Sequence, residues 1–253
     1  MADLVYEIQG KVAWLRLSCP GQGNRLTPRM DREIAAACQA IEEDDAVEIG
    51  VLTGSSHSFC EGLTQAANTA QRIRKQFGSI QCVEALAAIT KPTLAVLNGN
   101  AFGLGLELAL ACDLRLAVST ARFSLPQVTE QMIPFGGGTQ RLPRVVGQAK
   151  ALELILTGKQ LDAAEAYRIG LVNEVIATDG FLTRVDEVLS GLLGKGPIAL
   201  RLGKEAVYKA MDLTLDQGVR LEEDLYALLQ TTQDRAEGVE SFLVKRKPRF
   251  TGR

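Results

Sequence analysis

Glu107 is the residue from which a chemistry can first be read. It lies in Gly103-Leu-Gly-Leu-Glu-Leu-Ala-Leu110, where two glycines run ahead of an acid crowded by Leu104, Leu106, Leu108 and Leu110. Glycines so placed let the backbone turn sharply or approach a ligand closely. A helix starting near Leu106 puts Glu107 in its first turn, where the helix dipole favours a carboxylate by a few tenths to about one kcal/mol. The dipole accounts for the acid but not for the leucines. A second glycine cluster, Gly136-Gly137-Gly138, precedes Thr139-Gln-Arg-Leu-Pro143 and reads as a tight turn into another helix. Two backbone N–H groups converging on a carbonyl oxygen stabilise an enolate, and a carboxylate beside them can move a proton. Proton transfer next to a carbonyl is the chemistry these residues offer.

Other chemistries lose their residues. The Gly103-Leu104-Gly105 pair lacks the third glycine of a dinucleotide fingerprint, and no GxxxxGK[ST] phosphate loop occurs. The five cysteines, at 19, 38, 60, 82 and 112, stand singly without a CxxC, and His57 is the only histidine. Cys/His metal clusters are thereby excluded, and no metal is expected. Any histidine-based triad would run through His57, which sits in the polar turn Gly54-Ser-Ser-His-Ser58 and reads as a surface residue. An odd cysteine count without a secretion signal implies reduced thiols serving as small core residues. Net charge is −2, from 28 Lys+Arg against 30 Asp+Glu, which leaves no global field to draw in nucleic acid or an anionic membrane. The N-terminal MADLVYEIQGKVAWLRL has no apolar signal core and no 18-residue apolar run occurs, so a cytoplasmic protein is expected.

The elements that must position these residues alternate along the chain. Val12 to Leu17 reads as a strand and is followed by the loop Pro20-Gly-Gln-Gly-Asn24. Pro28 to Glu43 has helical spacing with Met30, Ile34, Ala37 and Ile41 on one face. Glu48–Thr53, Thr93–Leu97 and Leu114–Val118 are further strands, and Val83–Ile89 is a helix stopped ahead of Pro92. Such alternation predicts an α/β fold with a largely parallel sheet. From about Pro197 the strands stop. Ile198–Met211, Leu215–Gln230 and Asp234–Val244 are helical by period, and the chain closes on Lys245-Arg-Lys-Pro-Arg249-Phe-Thr-Gly-Arg253.

Phe59-Cys60-Glu61-Gly62, Lys91-Pro92 through Asp113, and Ile133 to Pro143 resemble, in order and spacing, the signatures of the crotonase (enoyl-CoA hydratase/isomerase) family. Gly196-Pro-Ile-Ala-Leu200 and the C-terminal Lys245–Arg253 run are similar to its hydratase branch. The resemblance implies a crotonase-like spiral of ββα units over residues 1–195 and a C-terminal helical trimerisation segment over 196–253. It implies an acyl-CoA thioester as substrate, with coenzyme A part of that substrate and no separate cofactor. Homotrimers or hexamers are implied too. Two peptide N–H groups, placed by the resemblance at Glu61 and Leu104, would hold the thioester oxygen, with Glu107 as the acid/base beside them. Arg25, Gly62, Leu63, Gly103 and Phe135 are the expected substrate-binding positions.

Departures from the family pattern bear on the reaction. Hydratases of this family use two glutamates around one water, and the second falls at Gln127 here. An amide can hold a water but shuttles no proton near neutral pH. Glu130 lies three residues on, at a position that is apolar in the family. Glu61 replaces an alanine, Phe135 a glycine, and Leu104 the middle glycine of the turn. The leading expectation is an enoyl-CoA hydratase with one retained glutamate. Alternatives are a double-bond isomerase, a decarboxylase or hydrolase of a specialised acyl-CoA, and a non-catalytic acyl-CoA binder. The basic C-terminal run raises nucleic-acid binding as a further class, which the net charge disfavours; a solvated tail or a contact to coenzyme A phosphates is the simpler expectation.

Overall fold

In the computed structural model, which describes residues 3–64 and 80–253, the strands form two sheets, to which the third to eighth strands in chain order go alternately. The six-stranded sheet has the spatial order β1 (Leu4–Gln9), β2 (Val12–Leu17), β3 (Ile49–Gly54), β5 (Thr93–Leu97), β7 (Leu114–Val118), β10 (Glu174–Ile176). The four-stranded sheet has the order β4 (Ser58–Cys60), β6 (Asn100–Phe102), β8 (Arg122–Ser124), β9 (Leu161–Asp162). Pairs β3–β4, β5–β6 and β7–β8 thus give one strand to each sheet, the ββα spiral that the resemblance implies. Pairing is parallel throughout except at the edges, where β1–β2 and β8–β9 are antiparallel. Every residue of β3 and β5 is buried, as expected of apolar runs paired on both sides.

Helix α1 (Pro28–Glu43) has the bounds its period predicts. Thr27 caps it by accepting the Met30 N–H, Pro28 opens it, and Met30, Ile34, Ala37 and Ile41 are all buried. Helix α2 (Cys82–Ala88) starts where Asp31 accepts the N–H groups of Gln81 and Cys82. Helix α3 (Leu104–Ala111) begins two residues earlier than the apolar period from Leu106 suggests, because Gly105 lies inside it. That glycine has a packing reason: a Cβ there would stand 2.0 Å from the Cys60 carbonyl oxygen of β4. All eight residues of α3 are buried, Glu107 included. Beyond β8 come a 3₁₀ helix (Pro126–Glu130), α4 (Gly138–Val146), α5 (Gln148–Thr157), α6 (Ala163–Arg168) and α7 (Phe181–Leu193). The last strand therefore ends at Ile176, well before Pro197.

Two compact units emerge: Met1–Ile89 with Thr93–Val185, and Thr90–Pro92 with Asp186–Arg253. The second contains α8 (Pro197–Lys209), α9 (Leu215–Gln230) and α10 (Gln233–Leu243). Its basic tail is folded rather than loose. Asp234, 4% exposed, accepts the N–H groups of Thr251 and Gly252, and Arg246 pairs with Glu237. None of the five cysteines is in a disulfide, and four are buried. Burial pushes the Cys38 and Cys60 thiols up to about 12, which removes them as nucleophiles. His57 is exposed. Among the described residues no helix is long and apolar enough to cross a membrane, and no cluster of His, Cys, Asp and Glu is placed to hold a metal ion.

Candidate active site

Glu107 sits in the first turn of α3 with no exposed surface. Its Oε1 accepts two backbone hydrogen bonds from the glycine turn, Gly136 N–H at 2.7 Å and Gly138 N–H at 2.8 Å. Its Oε2 accepts from Gln127 Nε2 at 3.2 Å. Burial pushes the carboxyl up to about 7, against the N–H groups of Gly138, Gly136 and Phe135 and the charge of Arg141, which hold it down. A carboxyl balanced there can both take and return a proton near neutral pH. The glycine turn was legible in the sequence as a source of free N–H groups. The structure spends two of them on the carboxylate.

Gln127, in the 3₁₀ helix and 6% exposed, brings its amide to Glu107. Its Oε1 is buried and unpartnered among the described residues. Such an atom costs about 1–3 kcal/mol unless a ligand or water satisfies it. Gln127 is also on the wall of an open cleft. The cleft brings together the other expected residues: Arg25, Glu61, Gly62, Leu63, Gly103, Leu104 and Phe135 all line it, with Glu130 and Met132 beside them. Glu107 is not itself on the lining, and Gln127 links the cleft to it by the 3.2 Å hydrogen bond.

The expected placement of an oxyanion N–H at Glu61 meets an obstacle. The Glu61 N–H already donates to Gly23 O at 2.9 Å. Two residues on, Leu26 bridges Leu63 by accepting the Thr64 N–H and donating to Gly62 O, which turns the Leu63 N–H to the other side. Among the described residues no acceptor takes the N–H of Leu63 or that of Leu104, the first residue of α3. Their loops nearly touch, since a Cβ on Gly103 would lie 3.9 Å from Gly62 Cα. The motif alone points to Glu61, whereas the short parallel bridge between Leu26 and Leu63 leaves the N–H of Leu63 open. The Glu61 side chain is bound as well: it accepts from Ser58 Oγ at 2.9 Å and Asn100 Nδ2 at 3.4 Å, and its Oε2 lies 3.8 Å from Arg25 Nη2.

With this geometry in place, comparison with known proteins is informative. The sequence profile "Enoyl-CoA hydratase/isomerase" matches residues 7–253. The chain is 38% identical to a crotonyl-CoA hydratase of Syntrophomonas wolfei, covering 98% of this chain and 97% of that one. It is 34% identical to the 2,3-dehydroadipyl-CoA hydratase of Escherichia coli over the full length of both. Among solved structures, an enoyl-CoA hydratase from Bacillus anthracis superposes with a TM-score of 0.95 at 32% identity over the whole of both chains.

Proposed function

Since the chain belongs to the enoyl-CoA hydratase/isomerase family of acyl-CoA enzymes, we propose that it hydrates 2-enoyl-CoA thioesters with Glu107 as the single proton carrier. In this reading the thioester oxygen accepts from the Leu63 and Leu104 N–H groups, each such donor contributing about 10²–10³ in rate. Because Oε1 of Glu107 is held by Gly136 and Gly138, Oε2 is the oxygen that exchanges the proton. A water donates one hydrogen to Gln127 Oε1 and the other to Glu107 Oε2. Its oxygen adds to C3, negative charge gathers on the thioester oxygen, and Oε2 then delivers the proton to C2. One water has been added across the double bond and Glu107 is again a carboxylate. Coenzyme A arrives and leaves with the acyl group, so the scheme calls on no separate cofactor. A cytoplasmic location goes with the same reading.

The observation that carries hydration is Gln127 Oε1, a buried acceptor for which no donor stands among the described residues and which a water can satisfy. Double-bond isomerisation is the second reading, supported by the single carboxylate, since one base suffices to take a proton at C4 and return it at C2. The test is a panel of 2-enoyl- and 3-enoyl-CoA substrates read by thioester absorbance and mass. Gain of one water from crotonyl-CoA is the expected result. Double-bond migration at unchanged mass overturns hydration in favour of isomerisation.

We further propose that the second unit assembles copies of the chain as a trimer or hexamer. Met211, Leu215, Tyr226, Phe242 and Leu243 are all exposed there, large apolar side chains that neighbouring copies would cover. Sedimentation at micromolar concentration is expected to give a trimer or hexamer, and a monodisperse monomer overturns the assembly.

A further inference from the structure

Each glycine of the 136–138 turn is demanded by a different neighbour. A Cβ on Gly136 would stand 2.6 Å from Leu104 Cδ1, and one on Gly138 2.9 Å from Glu107 Oε1. A Cβ on Gly137 would stand 2.0 Å from Arg141 Nη1, and Gly137 also holds a φ of +91°, a conformation that disfavours any other residue. Two of these contacts belong to the site already described. The third singles out Arg141, in the first turn of α4. Its Nη1 donates to Gly136 O at 3.1 Å, and its backbone N–H donates to Gly137 O at 2.8 Å. The peptide whose carbonyl the guanidinium grips lies between the two peptides whose N–H groups hold Glu107.

We propose that Arg141 is a positioning residue for the proton transfer, clasping the Gly136 carbonyl so that the Gly136 and Gly138 N–H groups stay forked on Glu107 Oε1 and Oε2 alone is left to react. This rests on the reading of Glu107 as the proton carrier. A rigidly held fork keeps the reacting oxygen in place, and small losses of alignment cost large factors in rate. The charge of Arg141 acts in the same direction, favouring the ionised carboxylate. Among the described residues Arg141 is the cation that acts on Glu107, while Arg144 stands in the last turn of α4 and Arg25 across the cleft beside Glu61. Cys60 on β4 and Cys82 on α2 are thiols that burial keeps protonated, β6 has no titratable side chain, Gln127 is uncharged, and Glu84 on α2 and Glu130 on the 3₁₀ helix are exposed acids.

The test compares Arg141→Met, Arg141→Lys and Glu107→Gln with the wild type. Rates on crotonyl-CoA are measured against pH, and Glu107 is titrated directly through the carboxyl infrared band that disappears in Glu107→Gln. Arg141→Met is expected to lower kcat about ten- to a hundredfold with KM nearly unchanged. It should also raise both the acid limb of the rate profile and the infrared midpoint by about one pH unit. Arg141→Lys is expected to restore the midpoint, since it keeps the charge, but only part of kcat, since an ammonium lacks the planar fork. A folded Arg141→Met with wild-type kcat and midpoint overturns the proposal. So does a lowered Tm with the midpoint unmoved, the mark of a merely structural arginine. Should Arg141→Met fail to fold, wild-type kcat in Arg141→Lys overturns it. Undiminished hydration in Glu107→Gln would instead sink the reading of Glu107, while the infrared midpoints still decide whether Arg141 holds that carboxylate.

Discussion

Glu61 lines the cleft and Glu107 is hydrogen-bonded to a second lining residue, Gln127, and the surroundings of the two acids have almost nothing in common. Glu107 has no exposed surface, receives two backbone N–H groups and an amide, and is pushed up to about 7 by burial. Glu61 keeps a side chain 24% exposed, is tied to Ser58 and Asn100, and faces a guanidinium at 3.8 Å. Gly23 makes room for it, since a Cβ there would stand 2.5 Å from Glu61 Oε2. Two identical side chains have thus been given different surroundings by the fold. Desolvation raises the buried one towards neutral pH; the wetter one is held among Ser58, Asn100 and Arg25.

The largest effect that could break this contrast is at Glu107. Glu107→Gln is expected to cost about 10²–10⁴ in kcat while acyl-CoA binding persists, measured by turnover and by calorimetric titration. The same change should stabilise the protein at pH 8. A carboxyl whose folded pKa is raised binds more protons folded than unfolded, so its burial penalty is absent below about pH 4.5 and grows as pH rises to about 7. Removing the charge should recover about 1–3 kcal/mol at pH 8 and little at pH 4.5, as read by denaturant unfolding at the two pH values. Wild-type-like stability at both would show that the carboxylate is not desolvated as described.

Gly138→Ala sharpens the contrast from the donor side. Its Cβ would press on Glu107 Oε1 at 2.9 Å, so a loss of about 1–3 kcal/mol in stability and at least tenfold in kcat is expected. Gly203→Ala, at a helical glycine without a positive φ and with nothing within 4 Å, serves as control for the added methyl alone. In the wild type the acid limb of kcat/KM should fall near pH 7, because the base must be ionised. Gln127→Glu places a second carboxyl where the amide nitrogen now sits, 3.2 Å from Glu107 Oε2. The two then titrate as a pair sharing one proton, and the limb should move upward. An unmoved limb would mean that Gln127 does not face Glu107 in the working enzyme. The smallest effects belong to Glu61. Glu61→Gln and Arg25→Gln should each change stability by less than about 1 kcal/mol and kcat by no more than about threefold, with a coupling below about 1 kcal/mol in a double-mutant cycle.

Much of the fold was legible because its signals are local. The bounds of α1 follow from Thr27, Pro28 and a clean apolar stripe, and β5 and β7 follow from short apolar runs between breakers. The start of α3 was not legible, because a glycine inside a helix is indistinguishable from one ahead of it until its neighbour, the Cys60 carbonyl, is known. The short strands β4, β6, β8 and β9 hold two or three residues each, too few for a period to show. At the site, Glu107, Gln127 and the glycine turn could be named from the sequence. Leu63 could be named as a substrate-binding position, but neither its open N–H nor the place of Arg141 could be read, since these depend on hydrogen bonds to residues distant in the chain or on the path of a turn.

The sequence by itself determined which atoms are available: one acid set among leucines, an amide at the second acid position, two glycine-rich turns, and neither a histidine cluster nor a phosphate loop. Residue types and their order suffice for that, because they fix the chemistry present and the local backbone freedom. Which of those atoms face one another was decided by tertiary structure alone. The N–H groups of Gly136 and Gly138 could have served a thioester or a carboxylate, and only the packing of the turn against α3 commits them to Glu107. The Glu61 N–H could have served the cleft, and only Gly23 claims it. Hydrogen-bond partners and desolvation depend on distances between segments far apart in the chain, and those distances exist only once the chain has folded.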